Sequence, residues 1–212
     1  MRYSEWHCGV NLFLMEKPYS SSCERNAKPI RDVLKKVIRN NHKNLLELGS
    51  GTGQHAVYIA PQFPKIIWTT SDVKSNHGGI NLWLSDANVQ NVKGPLELEI
   101  GKDNFPDGNF DVVYTANTFH IMDWEKDKSF MQLCRNNLKE GALVIIYGPF
   151  NYNRAYTSQS NADFDIWLKE RDPLSAIRSF EDVNESMSSS GFTLLHDFEM
   201  PANNRTLCFK KT

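Results

Sequence analysis

Glu47-Leu48-Gly49-Ser50-Gly51-Thr52-Gly53 is the stretch on which the reading of this chain turns. Leu45, Leu46 and Leu48 make a short apolar run that feeds directly into the glycines, and Ala56, Val57 and Ala60 continue beyond them at helical spacing. A strand, a glycine turn and a helix therefore follow one another. Glycines suit such a junction because the backbone turns tightly there and a ligand must approach it closely. The helix N-terminus beyond offers free N–H groups and a partial positive charge.

Working outward, strand and helix patterns alternate. Ahead of the loop, Ile30, Val33, Leu34, Val37 and Ile38 form one stripe of an amphipathic helix over residues 27–40. After it, the pattern predicts a strand at 66–70 ending before Asp72, a weaker helix at 80–89 and strands at 96–100 and 110–116. A helix at 124–138, with Gly141 as its stop, and an apolar strand at 142–147 follow. A polar loop then leads to Ser160 and Asp163, which read as a capping pair for a helix through Phe164, Trp167 and Leu168. Ser179 and Asp182 repeat the pattern ahead of a helix that Gly191 closes. Strands at 192–199 and 205–210, joined by a turn holding Pro201, Asn203 and Asn204, end the chain. Five strand–helix alternations imply a parallel sheet with helices on both faces, and the short last turn makes the final two strands antiparallel neighbours.

Composition narrows the class. With 212 residues, 40% hydrophobic and 23% charged, the chain fits one ordinary globular domain and excludes disordered, collagenous and coiled-coil classes. The net charge of -1 does not indicate a nucleic-acid partner. Residues 16–43 do carry eight Lys or Arg against three acids, which leaves a local basic patch open, although the overall charge favours a solvated helix face. No apolar run approaches the roughly 18–20 residues of a membrane helix. The greasy cluster Val10, Leu12, Phe13, Leu14 and Met15 is broken by Asn11 and too short for a signal-peptide core. Cys8, Cys23, Cys134 and Cys208 form no CxxC pair and the six histidines no HxxxH pair, so reduced thiols, a cytoplasmic location and no metal are expected.

The loop itself discriminates between ligands. Asp72 follows Gly53 by 19 residues, at the end of the next strand, where a carboxylate can accept from both ribose hydroxyls of a nucleoside. A dinucleotide loop wants GxGxxG, but here the third glycine comes one residue early and Gln54 holds the later slot. No GK[ST] follows, so this is not a Walker loop. GxGxG with an acid two residues ahead fits S-adenosylmethionine better than NAD. The expected architecture is a seven-stranded Rossmann-like class I methyltransferase sheet: five parallel strands plus a C-terminal antiparallel hairpin, with helices on both faces.

Residues 47–53 resemble motif I of S-adenosylmethionine-dependent methyltransferases. The rest of the chain resembles the family that includes human methyltransferase-like protein 26. The matching stretches are Glu24-Arg25-Asn26 with Pro29-Ile30, Gly51-Thr52-Gly53-Gln54-His55, Ser71-Asp72, Asn117 with His120-Ile121, and Tyr147-Gly148-Pro149. The most distinctive are Gln159-Ser160-Asn161 with Asp163-Phe164-Asp165, and Met200-Pro201-Ala202-Asn203-Asn204 with Leu207 and Phe209. The resemblance covers residues 17–211, so residues 1–16 are read as an N-terminal extension, with Met15 an alternative start, and 17–212 as one domain. Leu98-Glu99-Ile100 departs from the family's usual Leu-Asp-Val, which changes the reach of the acid toward an adenine amino group.

The resemblance implies an enzyme that transfers a methyl group from S-adenosylmethionine. The cofactor residues expected are Glu47, Gly49, Ser50, Gly51, Gly53, Asp72, Glu99, Ile100, Asn117 and Asn26. Glu47 would orient the methionine amine through water, Asp72 the ribose, and Arg25 and Asn26 would fold over the cofactor. His120 follows the fourth strand and is the candidate general base. His55, at a helix N-terminus where an imidazolium is disfavoured, reads as a positioning residue. Tyr147, Asn161, Asn203 and Asn204 would build the acceptor side, while Trp124 and Trp167 read as packing. Asn161, Asp163 and Arg178 serve either as caps and surface charge or as parts of a lid. A small molecule is the expected acceptor. The competing readings are a non-catalytic S-adenosylmethionine-binding or interaction protein on the same scaffold and, more distantly, an NAD-dependent oxidoreductase.

Overall fold

The computed structural model describes residues 16–212; the N-terminal extension, Met15 and Cys8 lie outside the described residues. The first helix, α1 (Ser21–Val37), starts six residues earlier than the apolar stripe suggests. Ser20 caps it, its hydroxyl accepting from Cys23 N at 3.3 Å. Pro29 lies inside α1 and removes one helical hydrogen bond, and residues 21–26, which are mostly polar, carry no apolar stripe to mark the first turns. Arg25 and Asn26 thus sit within the helix rather than ahead of it.

Strand β1 (Asn44–Leu48) runs into the glycine loop, and α2 (Gln54–Ile59) leaves it. Then come β2 (Ile67–Asp72), α3 (His77–Ala87), β3 (Val92–Glu97), β4 (Val112–Ala116) and α4 (Trp124–Asn137). β3 corrects the expected strand at 96–100: Gly94 and Pro95 lie within it, and residues 98–100 form the loop beyond. Proline is tolerated there because β3 is the sheet's edge strand. Asp111, directly ahead of β4, accepts from the backbone N–H groups of Lys43 (2.6 Å) and Asn44 (3.0 Å), tying together the entrances of β1 and β4.

β5 (Leu143–Asn151) runs four residues past Tyr147, into the expected loop. α5 (Gln159–Arg171) is capped by Ser158, which accepts from Asn161 N at 3.2 Å, and not by Ser160. A two-residue strand β6 (Arg178–Ser179) pairs with the end of β5 and was not legible. Ser179 does cap α6 (Phe180–Ser189), as its spacing to Asp182 suggests. β7 (Phe192–Met200) and β8 (Asn204–Lys211) close the chain.

The strands lie in the order β3-β2-β1-β4-β5-β8-β7, with β6 off this path. β1 to β5 are mutually parallel and β8 is antiparallel to both β5 and β7. Alternate residues of each central strand face opposite layers. Leu45, Tyr114 and Ile145 pack under α1 and α2, while Leu46, Val113 and Ile146 pack under α4 and α6. The chain winds outward from β1 to β3 and then returns to place β4 against β1. That reversal opens a crevice at the carboxyl ends of β1 and β4. No described helix is long and apolar enough to cross a membrane.

Candidate functional site

The glycine loop is held at the mouth of the crevice by its own backbone and by Ser71. Gly49 N and Ser50 N both donate to Ser71 O at 3.0 Å, and Gly53 N donates to Ser50 O at 2.9 Å. Two of the glycines do different work. Gly53 caps α2 at φ +88°, and a Cβ there would lie 3.1 Å from Ile80 Cα, so this residue lets α3 pack against the loop. Gly51, at φ +60°, has no atom of the described residues within 4 Å of a Cβ position, and it lines the cavity.

Asp72 ends β2 opposite this loop. Its Oδ2 accepts from Gly51 N at 2.6 Å, and its Oδ1 accepts from Val73 N at 2.7 Å and Asn76 Nδ2 at 2.8 Å. These bonds fix the carboxylate while lone pairs remain for a ligand. Asn117 follows β4 at φ +58°, a conformation that asparagine tolerates better than most residues, and its N–H donates to Tyr147 O.

A cavity of about 820 Å³ occupies the crevice, in the upper part of the roughly 300–1,000 Å³ range of ligand pockets. Of the expected residues, Asn26, Gly49, Ser50, Gly51, Asp72, Glu99, Ile100, Asn117, His120, Asn161 and Asn204 line it. Glu47, Gly53, Tyr147 and Asn203 are not among its lining residues. Glu47 is buried and accepts from Trp68 Nε1 at 2.9 Å. Burial raises its carboxyl from the ordinary 4.5 to about 7, against the opposing hydrogen bonds of Trp68 and Ser50. Tyr147 points toward the α1 layer, and burial pushes its phenol up. Asn203 works one step back: its carbonyl accepts from Asn161 Nδ2 at 3.3 Å and its Nδ2 donates to Ser160 Oγ at 3.4 Å, tying α5 to the β7–β8 turn.

His120 is buried at the cavity wall and makes no hydrogen bond to any described residue. Burial, aided by the charge of Arg178, lowers its pKa to about 4, so the ring is neutral at pH 7. His55 also lines the cavity, near the Tyr114 hydroxyl, and burial lowers it to about 4. Arg178 is not surface charge. It is buried, its Nε donates to Asp127 Oδ2 at 2.6 Å and its Nη2 donates to Met122 O, pinning the loop that carries His120, Ile121 and Met122.

Residue-by-residue reading missed one wall. Phe164, Trp167, Leu168 and Arg171, on one face of α5, all line the cavity. Trp167, expected as packing, stacks on Phe164 at 5.7 Å but is 46% exposed on the cavity wall. Trp124, in contrast, packs against the core as expected. The missed signal was the i, i+3, i+4, i+7 spacing of these four, directly after the Asn161 already singled out. Among the described residues no group of three or more His, Cys, Asp or Glu is placed to hold a metal.

The chain belongs to the family described as "Protein of unknown function (DUF938)", whose model matches residues 17–211. Its fold is that of solved methyltransferases. An O-methyltransferase family protein from Burkholderia thailandensis superimposes with a TM-score of 0.77 at 14% identity, over 90% of this chain and 57% of that one. An O-methyltransferase family 2 protein from Planctomyces limnophilus, solved with apigenin, gives 0.77 at 14%, over 90% and 60%. Human N-acetylserotonin methyltransferase, solved with S-adenosylmethionine, gives 0.74 at 15%, over 90% and 52%. This chain thus spans between half and three-fifths of the length of those proteins.

Proposed function

We propose that this member of the family is an S-adenosylmethionine-dependent methyltransferase with a small-molecule acceptor. The observation that carries the reading is one cavity joining the glycine loop, Asp72 and Asn117 at the β1–β4 crevice to a second compartment under α5. The open space over Gly51 supports it, since a ligand backbone can lie there without meeting a side chain. The resemblance to the family that includes human methyltransferase-like protein 26 supports the same assignment.

When bound, the cofactor supplies a methyl group activated on a sulfonium. The protein's work is then alignment and exclusion of water. Asp72 would hold the ribose, residues 98–100 the adenine edge, and the first turn of α1, with Asn26 and Arg25, would close over the methionine end. His120, neutral and without a hydrogen-bond partner among the described residues, offers a ring-nitrogen lone pair to the hydroxyl or amine proton of an acceptor. Glu47 would act from beneath the loop through Ser50 and Trp68 rather than by touching the cofactor.

Calorimetric titration with S-adenosylmethionine, S-adenosylhomocysteine and NAD, on the native chain and on Asp72→Asn, tests the reading. Adenosyl binding near micromolar, about −8 kcal/mol, weakened in the variant, is expected. No adenosyl binding would leave an interaction protein on a methyltransferase scaffold. NAD binding in its place would favour an oxidoreductase.

A further inference from the structure

Resting on the methyltransferase reading, the geometry points to a flat aromatic anion as the acceptor, its ring against Phe164 and Trp167 and its carboxylate on Arg171. The compartment under α5 is built from one helical face with graded chemistry. Asn161 stands at the inner end, Phe164 and Trp167 in the middle and Arg171 at the outer end. His120 meets Phe164 edge-on at 5.4 Å, Phe164 stacks on Trp167 with planes 18° apart, and the Arg171 guanidinium sits over the Trp167 ring at 4.7 Å. Ile121, 52% exposed, and Met122 contribute apolar side chains to the same compartment. Large exposed apolar side chains flanking a cavity are surface that a flat apolar ligand would cover.

The charges settle the sign. Among the described residues, the carboxylates lining the cavity are Asp72, beside the glycine loop, and Glu99, in the loop after β3. Asp72 is engaged by three donors and Glu99 is paired with Lys102 at 2.8 Å. Among the described residues, a cationic acceptor therefore finds no counter-charge lining the cavity under α5. Arg171, among the described residues, has no ion-pair or side-chain hydrogen-bond partner, and its planar fork is suited to a carboxylate. A cation in a helix's last turn needs no ligand to account for it. What sets Arg171 apart is that its guanidinium rests on a cavity-lining aromatic ring, at the end of a slot whose other end is His120.

The test uses protein saturated with S-adenosylhomocysteine and three probes: 6-hydroxy-2-naphthoate, 2-naphthol, which lacks the carboxylate, and trans-4-hydroxycyclohexanecarboxylate, which lacks the ring system. Binding is read by calorimetry on the native chain, Arg171→Gln and Trp167→Leu. The naphthoate should bind at least tenfold more tightly than either comparison probe. Arg171→Gln should weaken the naphthoate about tenfold and leave naphthol within twofold, while Trp167→Leu weakens both. Both side chains are exposed, and S-adenosylhomocysteine affinity should stay within twofold in each variant. Equal binding of naphthol and naphthoate, an unaffected Arg171→Gln, or no naphthoate binding to the saturated protein would overturn the acceptor class. Failure of S-adenosylhomocysteine to bind the native chain would instead overturn the methyltransferase reading on which it rests.

Discussion

Glu47→Gln should make the protein more stable in alkali and leave it unchanged in acid. The carboxyl is 2% exposed, under the glycine loop, with Trp68 Nε1 and Ser50 beside it and the charge of Asp72 nearby. Burial is the largest influence and raises its pKa from 4.5 to about 7. Between those values the unfolded chain has released its proton and the folded chain has kept it. The folded state then binds more protons, so stability falls as pH rises. The contribution is complete below pH 4.5 and lost once pH passes about 7. That interval, at 1.36 kcal/mol per pH unit, is worth about 3 kcal/mol. Glutamine keeps an oxygen for Trp68 and carries no charge, so it reproduces the protonated form at every pH. The variant and native chains should match at pH 4.5 and diverge to about 3 kcal/mol at pH 8.5, roughly 6–12 °C in Tm for a domain of this size. Urea unfolding at several pH values, read as the difference between the two proteins, cancels the other titrating groups. Parallel curves, or a native chain that gains on the variant above pH 7, would refute the reasoning.

The two loop glycines should separate folding from ligand binding. Gly51→Ala, at positive φ but with open space around its Cβ, should cost about 1–2 kcal/mol and abolish most S-adenosylhomocysteine affinity. Gly53→Ala adds a clash with the α3 backbone and should cost more in a thermal melt while retaining affinity in the folded fraction. Arg178→Met leaves Asp127 buried without its cation and should destabilise by about 3–5 kcal/mol; adding Asp127→Leu should recover most of that in urea unfolding. Ser158→Ala should cost about 1 kcal/mol through the lost cap, whereas Ser160→Ala should leave Tm nearly unchanged.

The parts of this protein written in short-range chemistry were legible without coordinates. Glu47 to Gly53 had to be a strand–turn–helix junction because the glycines, the apolar run before them and the helical spacing after them are neighbours in the chain. Asp72, the helix beginning at Trp124 and the cap at Ser179 were readable for the same reason. The helix and the cap rest on contacts spanning a few residues, which periodicity and capping encode directly, and Asp72 was marked by its place at the end of an apolar strand. Where a local signal was weak, the reading slipped: the mostly polar residues 21–26 gave no stripe for the first turns of α1, Gly94 and Pro95 masked β3, and Ser158 rather than Ser160 caps α5. Other features arise only when distant segments meet. Asp127 and Arg178 lie 51 residues apart, and nothing near either one marks it as half of a buried pair. Glu47 accepts from Trp68, 21 residues on, beneath the loop, a contact that no local pattern announces. The face of α5 carries its aromatic and cationic side chains plainly in the sequence, but the packing of that helix across the carboxyl ends of the strands decides that they look into a cavity rather than into solvent. A helix's own residues determine which side chains share a face, and the sheet it packs against determines what that face meets.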